Sequence, residues 1–168
     1  MTINTLDEKF AHELQDIYDA EHRFLEAQQE MMQQATSTKL QGMIQTHIRE
    51  TEGQIKNLEQ IFSLLGEKSK RVKCDAAAGL VSEGQKSMQE AGTPEIRDCL
   101  IAGSAAKVEH YEISSYRGLV MGAELMGNQD VLHLLNQNLQ QEEQTAQLVE
   151  QTAPALLKNA MKTQERGS

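Results

Sequence analysis

The chain has 168 residues, enough for one domain with a core of its own. Its formal net charge of −9 argues against nucleic acid as the main partner, because phosphate binding asks for a concentrated basic surface. Hydrophobic residues make up 39% and aromatics 4%, and no stretch approaches the roughly 18 apolar residues that a membrane helix needs, so no membrane partner is expected.

Two prolines in the whole chain, with abundant Gln, Glu, Ala, Leu and Met, favour helix over strand. No run alternates with period two for long enough to suggest a sheet. The first helix is predicted over residues 4–35, with Asn4 or Thr5 as cap and Asp7 and Glu8 in the first turn. Phe10, Leu14, Ile17, Glu21, Phe24, Gln28 and Met31 recur at alternating steps of four and three, which is a core-facing seam. Glu21 falls on that seam, whereas Asp16, Asp19 and Glu26 are expected to point elsewhere.

Thr36-Ser37-Thr38 ends one helix and caps the next. The second helix runs to about residue 65, with Gly66 as its stop. Its stripe is Leu40, Ile44, His47, Thr51, Gln54 or Ile55, Leu58 and Ile61. His47 and Glu50 are three apart and share a face. Residues 66–94 are a long connection with one short helix at about 75–90. The basic run from Lys68 to Lys73 reads as a solvated loop. Thr93 before Pro94 is a strong start for a third long helix, over 94–126. Ile96, Leu100, Gly103, Ala106, Ile113 and Val120 are its expected packed positions, with Glu109 and Glu112 flanking that stripe. After Gly127-Asn128, a fourth helix is predicted to about residue 152, with the stripe Leu132, Leu135, Leu139, Glu142 or Glu143, Ala146 and Val149. Residues 1–154 then form the bundle domain, and 155–168 a short helical extension fading into a tail.

Four helices of about 40 Å each, joined by a short, a long and a short connection, make a four-helix bundle with one crossover that carries an extra helix. Taken alone, a Glu on a long helix is most simply solvated, and a lone His is most simply a satisfied core residue. Depth is what singles these out. Glu21 lies 16 residues before Ser37 and Glu50 lies 13 after it; Glu109 and Glu143 show the same offset of three about the second turn. Carboxylates gathered at one depth of a core repel one another and disfavour folding unless neutralised. Two divalent metal ions would do so, and an oxygen-plus-imidazole donor set suits iron, manganese or zinc. The candidate ligands are Glu21, His47, Glu50, Glu109 and Glu143, with Glu112 and Glu142 next.

Four stretches carry a family resemblance: 13–21 (ELQDIYDAE), 47–51 (HIRET), 107–113 (KVEHYEI) and 139–143 (LQQEE). Together they resemble the YciE/YciF family. The resemblance implies a ferritin-like or rubrerythrin-like fold, a homodimer, a dinuclear metal centre between the helices and a link to bacterial stress responses. The chain departs from the usual ferritin-like pattern, in which Glu-x-x-His occurs on two helices. Here the second helix reads His-x-x-Glu, and Thr145 and Ala146 stand three residues after Glu142 and Glu143. No reaction is assigned on this basis. The alternatives are a metal-free dimeric bundle with a structural or interaction role, and a miniferritin-type iron store. Residues 1–10 lack an apolar core segment, and Cys74 and Cys99 have no metal-motif spacing, so a cytoplasmic protein with reduced thiols is expected.

Overall fold

The computed structural model describes residues 2–167. Five helices follow in order: α1 (Leu6–Gln34), α2 (Thr38–Leu64), α3 (Asp75–Glu90), α4 (Pro94–Met126) and α5 (Gln129–Gly167). No strand occurs among the described residues. The helix starts use local chemistry. Thr5 and Glu8 form a capping box, in which the Glu8 N–H donates to Thr5 Oγ1 and the Thr5 N–H donates to Glu8 Oε2, both at 3.1 Å. Ser37, Cys74 and Thr93 cap α2, α3 and α4. Gly127 closes α4 at φ 71°, a conformation that a side chain would strain.

Cross-helix contacts set the directions. Asp98 near the start of α4 holds Thr36 and Ser37 at the end of α1. Phe10 near the start of α1 lies against Gly122 near the end of α4, where a Cβ would stand only 3.0 Å from the Phe10 ring. α1 and α4 are therefore antiparallel. Asn57 pairs with Asn138 and Glu50 with Thr145, so α2 and α5 are antiparallel too. Since α1–α2 is a hairpin, α2 and α4 run the same way. The connection between them must then travel the length of the bundle, and α3 does so while packing against α1 and α4. This is the four-helix bundle with one crossover that the sequence predicts.

The crossover is not held by α3 alone. Arg71, within the run expected to be a solvated loop, donates from Nε to Asp19 Oδ1 at 2.8 Å. Asp19 Oδ2 also accepts from the Cys74 N–H at 2.9 Å and from Arg23 Nε at 2.5 Å. Asp19, expected to point away from the core, is in fact buried. Burial pushes its carboxyl up, but the Cys74 N–H and the two guanidinium groups outweigh this and hold it below its ordinary value.

Two further expectations change. The packed face of α4 is Ile101, Ala102, Val108, Glu109, Glu112, Ile113, Tyr116, Leu119 and Ala123. Of the six positions expected, only Ile113 is fully buried, and Gly103 is exposed. α4 packs against α1, α3 and α5, so it has no single apolar stripe to read. The helix expected to end before Ala153-Pro154 instead continues to Gly167. Pro154 removes one helical hydrogen bond, at a cost of about 3 kcal/mol. Burial of Leu156 in the hydrophobic cluster that includes Met31, Leu40 and Ile101, and of Ala160, offsets it.

Asp98 is the clearest single clamp on this architecture. Its carboxylate, 3% exposed, accepts from the Thr36 N–H at 2.8 Å, Thr36 Oγ1 at 2.7 Å and the Ser37 N–H at 2.8 Å. Asp98→Ala is expected to cost about 1–3 kcal/mol of unfolding free energy, because it removes three hydrogen bonds to a buried carboxylate. Urea denaturation measures it, and a loss well under 1 kcal/mol would remove Asp98 from this role.

Candidate metal centre

At mid-bundle, α1 contributes Glu21, α2 His47, α4 Glu109 and Glu112, and α5 Glu142. All five are buried. His47, Glu109, Glu112 and Glu142 each bring a donor atom within 4.8 Å of the others. This group of four can hold a metal ion. His47 Nε2 stands 3.0 Å from Glu109 Oε1, an ion contact whose angle does not make a hydrogen bond. On the other side of the ring, Nδ1 is 3.7 Å from Glu50 Oε2. The i, i+3 spacing of Glu109 and Glu112 points both carboxylates inward from one face of α4.

The surrounding polar side chains fix this cluster. Tyr116 donates a short hydrogen bond to Glu21 Oε1. Asn138 Nδ2 donates to the Tyr116 oxygen at 3.0 Å, and Asn138 Oδ1 accepts from Asn57 at 2.7 Å. All four helices of the bundle are thus tied at the level of the site. Thr145 donates to Glu50 Oε2 at 3.2 Å. Glu50 itself is half-buried and stands at the edge of the cluster rather than in it.

Glu143, a candidate from depth matching, lies outside. Its side chain is 45% exposed and accepts from Arg117 at 2.6 Å. Glu142 occupies the inward position. As far as Leu156, the buried positions of α5 are Val131, Leu134, Leu135, Asn138, Glu142, Thr145, Ala146, Val149, Thr152 and Leu156. Four of those ten are polar, which blurred the phase of the helix. Steps of four and three from Leu135 through Leu139 do reach Glu142, and that was the available signal. Glu112, named as a lesser candidate, belongs to the tight group. Tyr116 and Asn138 were not anticipated as parts of the site. Nothing in a single sequence separates a buried Tyr or Asn that braces a carboxylate from one that merely fills space.

Residues 5–162 match the family described as a domain of unknown function, DUF892. The chain belongs to this family. Protein YciF of Escherichia coli strain K12 is 35% identical over 146 residues, which cover 86% of this chain and 88% of that protein. The crystal structure of the E. coli stress protein YciF superposes with a TM-score of 0.88 at 32% identity, covering 93% of this chain and 99% of the other. YcfI of Rhodopseudomonas palustris, described provisionally as a structural protein, superposes at 0.86 with 35% identity, covering 88% and 94%. A protein from Xanthomonas campestris shares the fold at 22% identity and a TM-score of 0.77, over 96% and 99%.

In this member of the family the cluster is electrostatically unbalanced. Both oxygens of Glu112 and of Glu142, one oxygen each of Glu21 and Glu109, and both ring nitrogens of His47 are buried without a hydrogen-bond partner. Burial pushes the Glu21 carboxyl up to about 7, against the pull of the Tyr116 hydroxyl. Burial, then the charge of Glu142, drives Glu112 well above the ordinary carboxyl range. Burial and the charge of Glu109 do the same to Glu142. Burial alone would depress His47, but the charge of Glu109 leads the opposing influences and holds it well above its usual value.

These shifts give the metal-free protein a pH signature. A carboxyl raised in the native state binds more protons there than in the unfolded chain, so its contribution to stability falls as pH rises above about 4.3. A raised histidine stabilises below about 6.5 and loses that contribution as pH climbs through its native value. Both effects have the same sign. The melting temperature of chelator-treated protein is expected to fall from mildly acidic to mildly alkaline pH. Glu112→Gln with Glu142→Gln is expected to flatten that fall and to raise the alkaline melting point. Calorimetry across the pH range checks both, and an equally steep fall in the double variant would contradict the account.

Proposed function

We propose that this protein is a stress-associated, ferritin-like bundle that holds two divalent metal ions at mid-core. The observation that carries the reading is the convergence of unpartnered buried donors on His47, Glu109, Glu112 and Glu142. Native interiors rarely leave polar atoms unpaired, and buried carboxylates need a counter-charge. Four buried carboxylates, with Glu21 the fourth, match the charge of two divalent cations. Glu21 and Glu50 are the outer ligands in this reading, the first beside Glu112 and the second beside His47. Glu142 takes the place first given to Glu143. The donor set of oxygens with a single imidazole fits iron best, with manganese or zinc able to substitute.

When bound, such ions would supply Lewis acidity and, if iron or manganese, one-electron redox capacity. The protein's own part is clearer. Tyr116 and Asn138 hold Glu21 in one rotamer, Glu50 stands 3.7 Å from His47 Nδ1, and the packed bundle buries the cluster. The association of YciF with stress is the basis for the stress link. A homodimer completes the proposal. Met121 and Leu125 on α4 and Leu148, Leu157 and Met161 on α5 expose large apolar side chains that a partner subunit could cover. No helix among the described residues is long and apolar enough to cross a membrane, and Cys74 and Cys99 are both free thiols. A cytoplasmic setting belongs to the same proposal.

Protein purified without a metal-binding tag should carry metal by elemental analysis and take up Fe(II) in an anaerobic titration. Glu142→Ala is expected to abolish that uptake, whereas Glu143→Ala leaves its stoichiometry unchanged. Glu50→Ala should weaken binding, though less than Glu142→Ala, because Glu50 is a ligand at the half-buried edge of the cluster. Equal behaviour of the Glu142 and Glu143 variants, or no uptake by the unaltered protein, would leave the metal-free bundle as the better reading. Size-exclusion chromatography with light scattering separates a dimer from a monomer or from a storage cage.

A further inference from the structure

A small cavity of about 30 Å³ lies directly beside His47 and Glu109. Most of its wall is apolar: Phe24, Ala27, Met31, Ile44, Val108 and Val149. A water needs roughly 10–15 Å³ of such space and several polar partners to settle in it. The volume therefore admits a molecule of two or three heavy atoms, and the walls favour an uncharged one. An ion would lose its hydration there with little in return.

The cavity has a neighbour. An open groove of about 270 Å³ between α2 and α5 is lined by Lys39, Gly42, Met43, Thr46, Glu50 and Thr145, among others. Met43 and Thr145 line both spaces. Only these two side chains are common to them, so they form the partition. Met43 is an unbranched thioether with three rotatable bonds, half-buried at the surface, and can swing aside without moving backbone. Thr145 is held by its hydrogen bond to Glu50 and makes the fixed side of the opening.

We propose that the inner cavity is a binding site for uncharged, gas-sized molecules of two or three heavy atoms, admitted from the α2–α5 groove past Met43. This deepens the metal-holding reading by giving the class of molecule that reaches the centre, but it stands on the cavity and its partition alone. It can therefore be tested on metal-free protein, where a failure says nothing about metal binding.

Dissolved dioxygen under pressure is a paramagnetic probe of such spaces. In chelator-treated protein, the methyl groups of Met31, Ile44 and Val149 are expected to relax several-fold faster under oxygen than those of Ile55 and Leu134, which are no more buried but lie off the cavity. No excess over Ile55 and Leu134 would overturn the site. Xenon exchange followed by ¹²⁹Xe NMR tests the route. Met43→Trp should slow exchange and Met43→Ala should speed it. The two variants act in opposite senses, so misfolding of one does not decide the matter. If the cavity is occupied but exchange is unmoved by both, the route past Met43 is wrong.

Discussion

Four carboxylates and one imidazole share the buried centre of a bundle whose other core positions are mostly Leu, Ile, Phe and Ala. Each buried charge without a partner costs several kcal/mol of desolvation, and like charges add to that cost. The rest of the architecture makes sense as the means of holding such a cluster in place. Two hydrophobic clusters lie along the bundle. The first contains Phe10, Leu14, Leu58, Tyr116 and Leu119, and the second Met31, Leu40, Ile44, Ile101 and Leu156. Polar clamps then fix the register. Asp98 ties the α1–α2 turn to α4, Asp19 ties the crossover to α1, and Asn138 links α2, α4 and α5. A one-turn slip of any long helix would carry a carboxylate about 5.4 Å out of the cluster.

The helices were legible because their ends are written locally. Thr5, Ser37, Thr93-Pro94 and Gly127 each act over three or four residues, and single-sequence reasoning sees that range. The α1 seam was equally legible, since Phe10 to Met31 faces one continuous core and every member is buried. What escaped depends on partners far away in sequence. Asp19 is buried because Arg71 and Cys74, more than fifty residues on, come back to meet it. The face of α4 was misphased because three helices pack around it. α5 outlasts Pro154 because Leu156 is buried in the cluster that includes Leu40 and Ile101. Proline's local rule lost to tertiary burial.

The candidate site divides along the same line. Depth arithmetic singled out Glu21, Glu50, Glu109 and Glu143, because counting from a turn measures height on the bundle axis; His47 came from its place on the α2 stripe. Such counting does not measure rotation about each helix. Glu142 and Glu143 differ by about 1.5 Å in height but by roughly 100° around the axis. Rotation sends Glu142 to the cluster and Glu143 to Arg117. The polar residues Asn138, Thr145 and Thr152 on the inner face of α5 had erased the apolar stripe that would have told the two apart.

Those same polar residues bear on what the centre can do. A bundle needing only stability would gain by replacing a buried charged cluster with hydrophobic residues of similar volume. Here the opposite has been built. Asn138 and Tyr116 brace Glu21, Thr145 braces Glu50, and Gln28 pairs with Thr51 beside the small cavity. Bracing of this kind stabilises particular side-chain positions at the expense of core packing, as the proposed metal site would require. A cation that binds only the native state would convert the electrostatic liability into stability by mass action. In the proposed reading the metal-free fold would be the less stable member of a pair, and the unpaired buried acceptors mark where a cation would bind.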